Sequence, residues 1–171
     1  FEELLNLDNH EKHDYFLKQF LIVNNSKSYL KEVLGLHSDI KNMSKGKKLP
    51  QLALQNHLLD TISSNSLFGK PTVFYFWSQT QMGHYRNTIQ KAKLLTKEFP
   101  QYNFKGVCLQ PFNEIVFQVH QMMDVPHDSQ LAFIDFEEGS KKWVVSLLNR
   151  AIIVDRKGTI IDGFGNFSSP K

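Results

Sequence analysis

The stretch Trp77-Ser-Gln-Thr-Gln-Met-Gly-His-Tyr-Arg86 places an indole, two carboxamides, a thioether, an imidazole, a phenol and a guanidinium within one short segment. If a helix begins there, its unpaired backbone N–H groups and partial positive charge favour an anion or a peptide carbonyl beside His84, Tyr85 and Arg86. The stretch contains no thiol, and no acidic residue adjoins His84 and Tyr85 to orient a base, so nucleophilic or hydrolytic chemistry is not expected from it.

The one cysteine, Cys108, lies in Gly106-Val-Cys-Leu109. A lone cysteine excludes an intrachain disulfide and a multi-cysteine metal site. Within an apolar strand its thiol is expected to be a small buried hydrophobe with a raised pKa. The sharper alternative is a single-cysteine peroxidase or mixed-disulfide donor, if the strand end opens into a cleft. His10, His13, His37, His57, His84, His120 and His127 form no His-x-x-x-His or Cys/His pattern, so no metal is expected. Gly163-Phe-Gly-Asn-Phe167 lacks the strand-to-helix context of a phosphate or dinucleotide loop, and no cofactor is implied. It reads as a flexible aromatic turn at the chain end, and Phe164 and Phe167 would cover the groove near His84 only if the closing strand carried them there.

Groups of these kinds act only when a fold holds them. The chain has 171 residues, 41% of them hydrophobic, and a net charge of +3, which suits one well-buried domain plus an appendage. Lys45, Lys47 and Lys48 read as a solvated linker and not as a nucleic-acid patch. No apolar run approaches the roughly 20 residues that span a bilayer, so no membrane insertion by this stretch is expected. The start at Phe1 reads as a fragment of a longer chain whose targeting signal lies upstream.

Leu4, Leu5, Tyr15, Phe16, Phe20 and Leu21 recur at helical spacings, with an interruption near Asn9. A second helix is expected after a Ser26 or Ser28 cap, with Leu30, Val33, Leu34 and His37 on one face. The polar run Asn42–Lys48 then marks a boundary, dividing a helical segment 1–44 from a main domain 45–171. Short strands are expected at Leu52–Leu54 and Leu58–Ile62, with a turn at Phe68–Pro71.

The strongest strand is Thr72–Trp77, whose unbroken β-branched and aromatic run predicts a central position covered on both faces. A helix from about Gln81 to Glu98 follows, with Tyr85, Ile89, Ala92, Leu95 and Phe99 inward. Next come a strand over Phe104–Leu109, then a helix capped by Asn113 with the stripe Ile115, Val116, Val119, Met122 and Met123. A strand over Leu131–Phe136, a helix over Ser140–Leu148 and a hairpin from Ala151–Val154 to Thr159–Ile161 complete an α/β sandwich.

This order, together with Gly46-Lys-Lys-Leu-Pro50, Gly69-Lys-Pro-Thr-Val-Phe-Tyr-Phe-Trp77, Arg86 and Ile152-Ile-Val-Asp-Arg-Lys-Gly158, resembles the thioredoxin-like superfamily, nearest to TlpA/ResA-type thiol–disulfide oxidoreductases. The resemblance implies a three-layer sandwich, a central mixed sheet flanked by helices, with a helical N-terminal extension of the kind some relatives carry. It also implies a periplasmic or cell-envelope location.

In that family a tryptophan ending the central strand is followed by Cys-x-x-Cys at a helix start, where the dipole lowers the first thiol's pKa and the second cysteine resolves the mixed disulfide. Counting from Trp77 puts Gln81 and His84 at the cysteine positions; counting back from Arg86 puts Met82 and Tyr85 there. The family's cis-proline corresponds to Asn149 or Arg150, where a trans peptide and a reshaped groove are expected. The resemblance thus implies a fold whose redox apparatus is lost. The remaining face, Trp77, Gln81, Met82, His84, Tyr85, Arg86, Asn149 and Arg150, is a candidate for holding a protein or peptide partner. The enzyme alternative is redox chemistry through Cys108 or a cysteine outside this stretch.

Overall fold

The computed structural model describes residues 14, 15, 17–19, 22 and 27–168. The helical reading at Leu4, Leu5, Phe16, Phe20 and Leu21 lies outside them. The described chain runs α1 (Lys27–Asn42), β1 (Ala53–Gln55), β2 (Thr61–Ser63), β3 (Thr72–Trp77), α2 (Met82–Glu98), β4 (Asn103–Cys108), α3 (Glu114–Met122), β5 (Gln130–Phe133), α4 (Phe136–Lys142), β6 (Arg150–Val154) and β7 (Ile160–Asn166).

The seven strands form one mixed sheet in the order β2-β1-β5-β4-β3-β6-β7. β3, β4 and β5 are parallel neighbours, while β1 and β6 join them antiparallel. All six residues of β3 are buried, as its unbroken apolar run predicts. Its side chains alternate between two cores. Phe74 and Phe76 meet Ile40, Met43, Leu54, Phe133 and Trp143 on the face carrying α1 and α4. Val73, Tyr75 and Trp77 meet Tyr85, Ile89, Ala92 and Val116 on the face carrying α2 and α3. The result is the expected three-layer α/β sandwich.

Several local expectations shift. Leu58 and Leu59 belong to an exposed turn, not to β2, because Asn56 Oδ1 accepts the backbone N–H groups of Leu58 and Asp60 at 2.9 Å each. β5 stops at Phe133, because Asp135 caps the next helix by accepting from Glu138 N at 2.9 Å. That helix therefore covers 136–142 instead of 140–148, with Glu137 and Glu138 in its first turn and Lys141 and Lys142 in its last, each suited to the helix dipole. Trp143, Val144 and Val145 follow as buried loop, Val144 at φ 51°.

Phe99, Ile115 and Met122 are exposed where they were expected inward. α3 turns Val116 and His120 to the sheet instead, with Phe117, Val119 and Met123 half-buried beside them. On α1, Leu34 is exposed and His37 bonds Asp14 Oδ1 at 2.9 Å, whereas Leu36 and Ile40, with Met43 just past the helix end, reach the core. The side chain of Leu30 lies outside the description.

The stretch 42–48, expected as linker, is tied to the closing hairpin. Gly46 N donates to Ile160 O, Ile160 N donates to Lys47 O, and Leu49 N donates to Gly158 O, at 2.8–2.9 Å. Gly158 takes φ 74° in the hairpin turn, and a Cβ there would run into the Phe68 ring. The 163–167 segment is not a loose turn: its first four residues lie in β7, and Phe167 is buried with its ring 4.8 Å from that of Tyr75.

Candidate functional site

The C-terminal ends of β3 and β4 lie side by side, with Trp77 opposite Cys108. In open α/β sheets this end is where ligands collect, because the strands hand over to loops and helix N-termini there. Ser78, Gln79 and Thr80 make the connection to α2. Gln110 Oε1 accepts from Ser78 Oγ at 3.2 Å and Gln79 N at 3.1 Å, and Gln81 N donates to Ser78 O at 3.1 Å. Gln81 is the exposed cap residue of α2 and makes no side-chain capping bond.

Cys108 is fully buried under two carboxamides. Gln79 Nε2 lies 3.7 Å from Sγ while donating to Pro111 O at 2.7 Å, Asn113 Nδ2 donates to Gln79 Oε1 at 2.6 Å, and Gln110 Oε1 also sits 3.7 Å from Sγ. Burial pushes the thiol pKa up to about 11 against the opposing help of the Gln110 and Gln79 hydrogen bonds. Near neutral pH that leaves on the order of one thiolate in 10⁴.

Beside the thiol the aromatic groups form a layered cluster. The Trp77 indole donates from Nε1 to Gln130 Oε1 at 3.1 Å, and Gln130 Nε2 donates to Tyr75 Oη at 2.9 Å. Gly106 leaves room for this pair, since a Cβ there would overlap Gln130 and the Tyr75 ring. The Tyr85 ring packs 4.2 Å from Trp77, and the His120 ring lies 5.7 Å from Trp77, 5.9 Å from Tyr85 and 5.8 Å from Phe112.

Among the described residues, Tyr85 Oη and both ring nitrogens of His120 are buried side-chain atoms that make no hydrogen bond. Each such group costs about 1–3 kcal/mol when left unpaired. Burial, helped by His127, holds the His120 pKa down at about 4, so its ring is neutral at pH 7. Burial likewise raises the Tyr85 phenol above its ordinary range, with Tyr75 and Cys108 adding to the shift.

A pocket of about 220 Å³ opens onto this cluster between α2 and α3. Trp77, Met82, Tyr85 and His120 line it, with Gln79 and Asn113, and the apolar side chains Ile115, Val116 and Val119 complete its wall. No charged residue lines it.

The residues singled out from sequence therefore separate. Trp77, Met82 and Tyr85 meet in the pocket, and Cys108 lies beneath its floor at Gln79. His84 is half-buried 3.4 Å from Thr88 Oγ1, and burial lowers its pKa; Arg86 is exposed. Asn149 accepts from Phe167 N at 2.6 Å through its backbone carbonyl. Arg150 points to the opposite face of the sheet. Its Nε and Nη2 donate to Gly163 O at 3.1 and 2.5 Å, Nη1 donates to Val144 O, and the Phe164 ring lies 4.1 Å from the guanidinium. Burial lowers its pKa to about 9, opposed by Asp162, so it remains charged at pH 7. No peptide bond among the described residues is cis, including those at 149 and 150.

Sequence reasoning missed His120, Gln79, Asn113's bond to Gln79, and Gln130. Only His120 had a signal: it stands four residues after Val116, on the same helix face.

No protein-family model matches the chain, and no curated protein matches it either. Solved structures do. A protein named as a thiol-disulfide oxidoreductase from Bacteroides vulgatus superposes with a TM-score of 0.63 at 14% identity, over 75% of this chain and 92% of that one. A domain named as a thiol-disulfide isomerase from Cytophaga hutchinsonii gives 0.60 at 16%, over 72% and 85%. A protein named as the thiol:disulfide interchange protein DsbE from Chlorobium tepidum gives 0.58 at 17%, over 74% and 88%. The fold is thioredoxin-like, as the sequence resemblance implied, and the chain's single cysteine agrees with loss of the two-cysteine motif.

Proposed function

We propose that this chain is a non-catalytic thioredoxin-like module that uses the face around Trp77, Met82 and Tyr85 to hold a protein or peptide partner, within a larger cell-envelope protein. One observation carries this reading: the helix start that would bear the redox cysteines carries Gln81, Met82, His84 and Tyr85, while the chain's only thiol is sealed beneath Gln79 and Gln110. A disulfide-exchange catalyst needs an accessible thiolate, and neither condition is met at Cys108.

The envelope location rests on the names of the structural neighbours, including the DsbE-named protein. It is compatible with the fact that no described helix is long and apolar enough to cross a membrane.

The alternative, redox chemistry through Cys108, has the residue's burial and raised pKa against it. The test is reduction of insulin by dithiothreitol with the purified chain, its Cys108→Ser variant and a conventional thioredoxin as control. Background rates for both forms of the chain support the binding reading. Acceleration lost in Cys108→Ser would replace it with the redox one.

A further inference from the structure

The stripe of α2 that faces the sheet changes character along its length. Ile89 and Ala92 are core, but Lys93, Thr96 and Lys97, which continue the same i, i+3, i+4, i+7, i+8 spacing, wall a pocket of about 430 Å³. This pocket lies at the end of α2 remote from Trp77 and Cys108, between that helix, the start of β4 and the loop from α3 to β5. Its size falls within the roughly 300–1,000 Å³ of small-molecule sites.

The polar groups set the sign of a guest. Lys93 Nζ donates to Met123 O at 2.7 Å, which fixes it at the rim where Asp124 and Val125 begin the loop wall, and leaves two of its three donors free. Asp124 Oδ2 is 3.9 Å away, too far for a hydrogen bond. The side chains of Asp124 and Asp128 project into solvent, and Lys105 Nζ is already held by Asp128 O at 2.5 Å. Lys97 is exposed one turn beyond Lys93, and its ammonium has no hydrogen-bond or ion-pair partner among the described residues. Two solvent-accessible ammonium groups with spare donors thus stand over the pocket, and they call for an anion.

The apolar groups set its shape. Tyr102 and Phe104 are half-buried at the margin of the core that holds Ile89 and Val125, and neither ring meets another aromatic ring among the described residues. Such faces suit a planar guest. An uncharged aromatic molecule would leave the ammonium groups unused, and a small hydrated anion would leave the rings unused.

We propose that this pocket binds a small aromatic carboxylate, its charged group held by Lys93 and Lys97 and its ring packed against Tyr102 and Phe104. The site is separate from the face around Trp77 and does not depend on the partner-binding reading of that face.

The experiment follows the backbone amide resonances of the whole chain by NMR in low-salt buffer during titration with 2-naphthoate, with its uncharged counterpart 2-naphthamide, and with acetate. The expected result is saturable shifts at Lys93, Lys97, Phe104 and Val125, with naphthoate binding at least about tenfold more tightly than either control. Added salt narrows the gap between naphthoate and naphthamide. Lys97→Gln, a change at an exposed group that bonds nothing, weakens naphthoate about threefold to fivefold and leaves naphthamide unchanged. Combining it with Lys93→Gln removes the preference for the charged ligand.

Naphthoate binding no better than naphthamide or acetate, shifts centred on Trp77 instead of Lys97, no saturable shift, or undiminished binding in Lys97→Gln each overturns the proposal. The comparison of ligands uses the unaltered chain, so it stands even if the double variant fails to fold.

Discussion

Gln79 lies over Cys108: its amide nitrogen is 3.7 Å from the thiol sulfur and is held there by Pro111 O at 2.7 Å, while its amide oxygen is held by Asn113 Nδ2 at 2.6 Å. The cover is thus part of a loop-to-loop bridge between the start of α2 and the start of α3. Gln79→Ala is expected to speed Cys108 modification by iodoacetamide at least about tenfold, because desolvation is the main reason the thiol stays protonated. The lost bridge costs about 1 kcal/mol in chemical denaturation. Unchanged labelling would show that Gln110, whose Oε1 also lies 3.7 Å from the sulfur, is the effective seal.

Gln130 satisfies two buried aromatic polar groups at once, the Trp77 N–H and the Tyr75 hydroxyl. Gln130→Leu leaves both unpaired in the core, and we expect a loss of about 2–4 kcal/mol in urea unfolding. Tyr75→Phe removes only one partner and is expected to cost about 1 kcal/mol. Equal costs for the two would mean that the Trp77 bond contributes nothing.

His120 gives the fold a pH dependence of defined sign. Its folded pKa, about 4, lies below the ordinary value of 6.5 for an exposed histidine, so between those values the unfolded chain binds more protons. Stability therefore falls as pH drops through that window, by on the order of 2 kcal/mol. His84, also lowered by burial, acts in the same direction. Denaturation at about pH 7.5 and about pH 4.5 should show this loss in the native chain and a smaller one in His120→Phe. An identical pH dependence in both forms would contradict the assignment.

Arg150 acts as a clamp: its guanidinium bonds Gly163 O on β7 and Val144 O in the loop after α4. Arg150→Met removes a buried cation but leaves two carbonyls without these donors, and Arg150→Ala adds a cavity. We expect about 1–2 kcal/mol for the first and about 3–4 kcal/mol for the second, read by thermal unfolding. A reversed order would show that the charge, and not its packing, dominates.

Residues with local signatures were legible in advance. Thr72–Trp77 has the bounds its unbroken apolar run indicated, and Asn113 caps α3 by accepting from Val116 N at 3.1 Å, because strand runs and caps are written in neighbouring residues. The buried face of α3 was not legible. Its short sequence Glu-Ile-Val-Phe-Gln-Val-His-Gln-Met is apolar at several phases, so packing on the sheet, and not periodicity, chose Val116 and His120 over Ile115 and Met122.

The site divides along the same line. Trp77, Met82 and Tyr85 could be named because they flank a strand-to-helix junction. Gln79 over Cys108 and Gln130 under Trp77 could not, because each contact joins residues far apart in sequence through a single polar side chain. Arg150 illustrates the reverse: a place beside the groove that the resemblance implied says nothing about which face of β6 its side chain takes, and the alternation along the strand sends it away.

The most direct test of the account is the reactivity of Cys108 toward 5,5′-dithiobis(2-nitrobenzoic acid), followed by absorbance in native buffer and again in denaturant. The account predicts negligible release of the coloured thiolate from the folded chain over minutes and one equivalent at once after unfolding, since the sulfur is buried and its pKa is near 11. Rapid stoichiometric reaction in native buffer would contradict it, and would make Cys108 an exposed, working thiol.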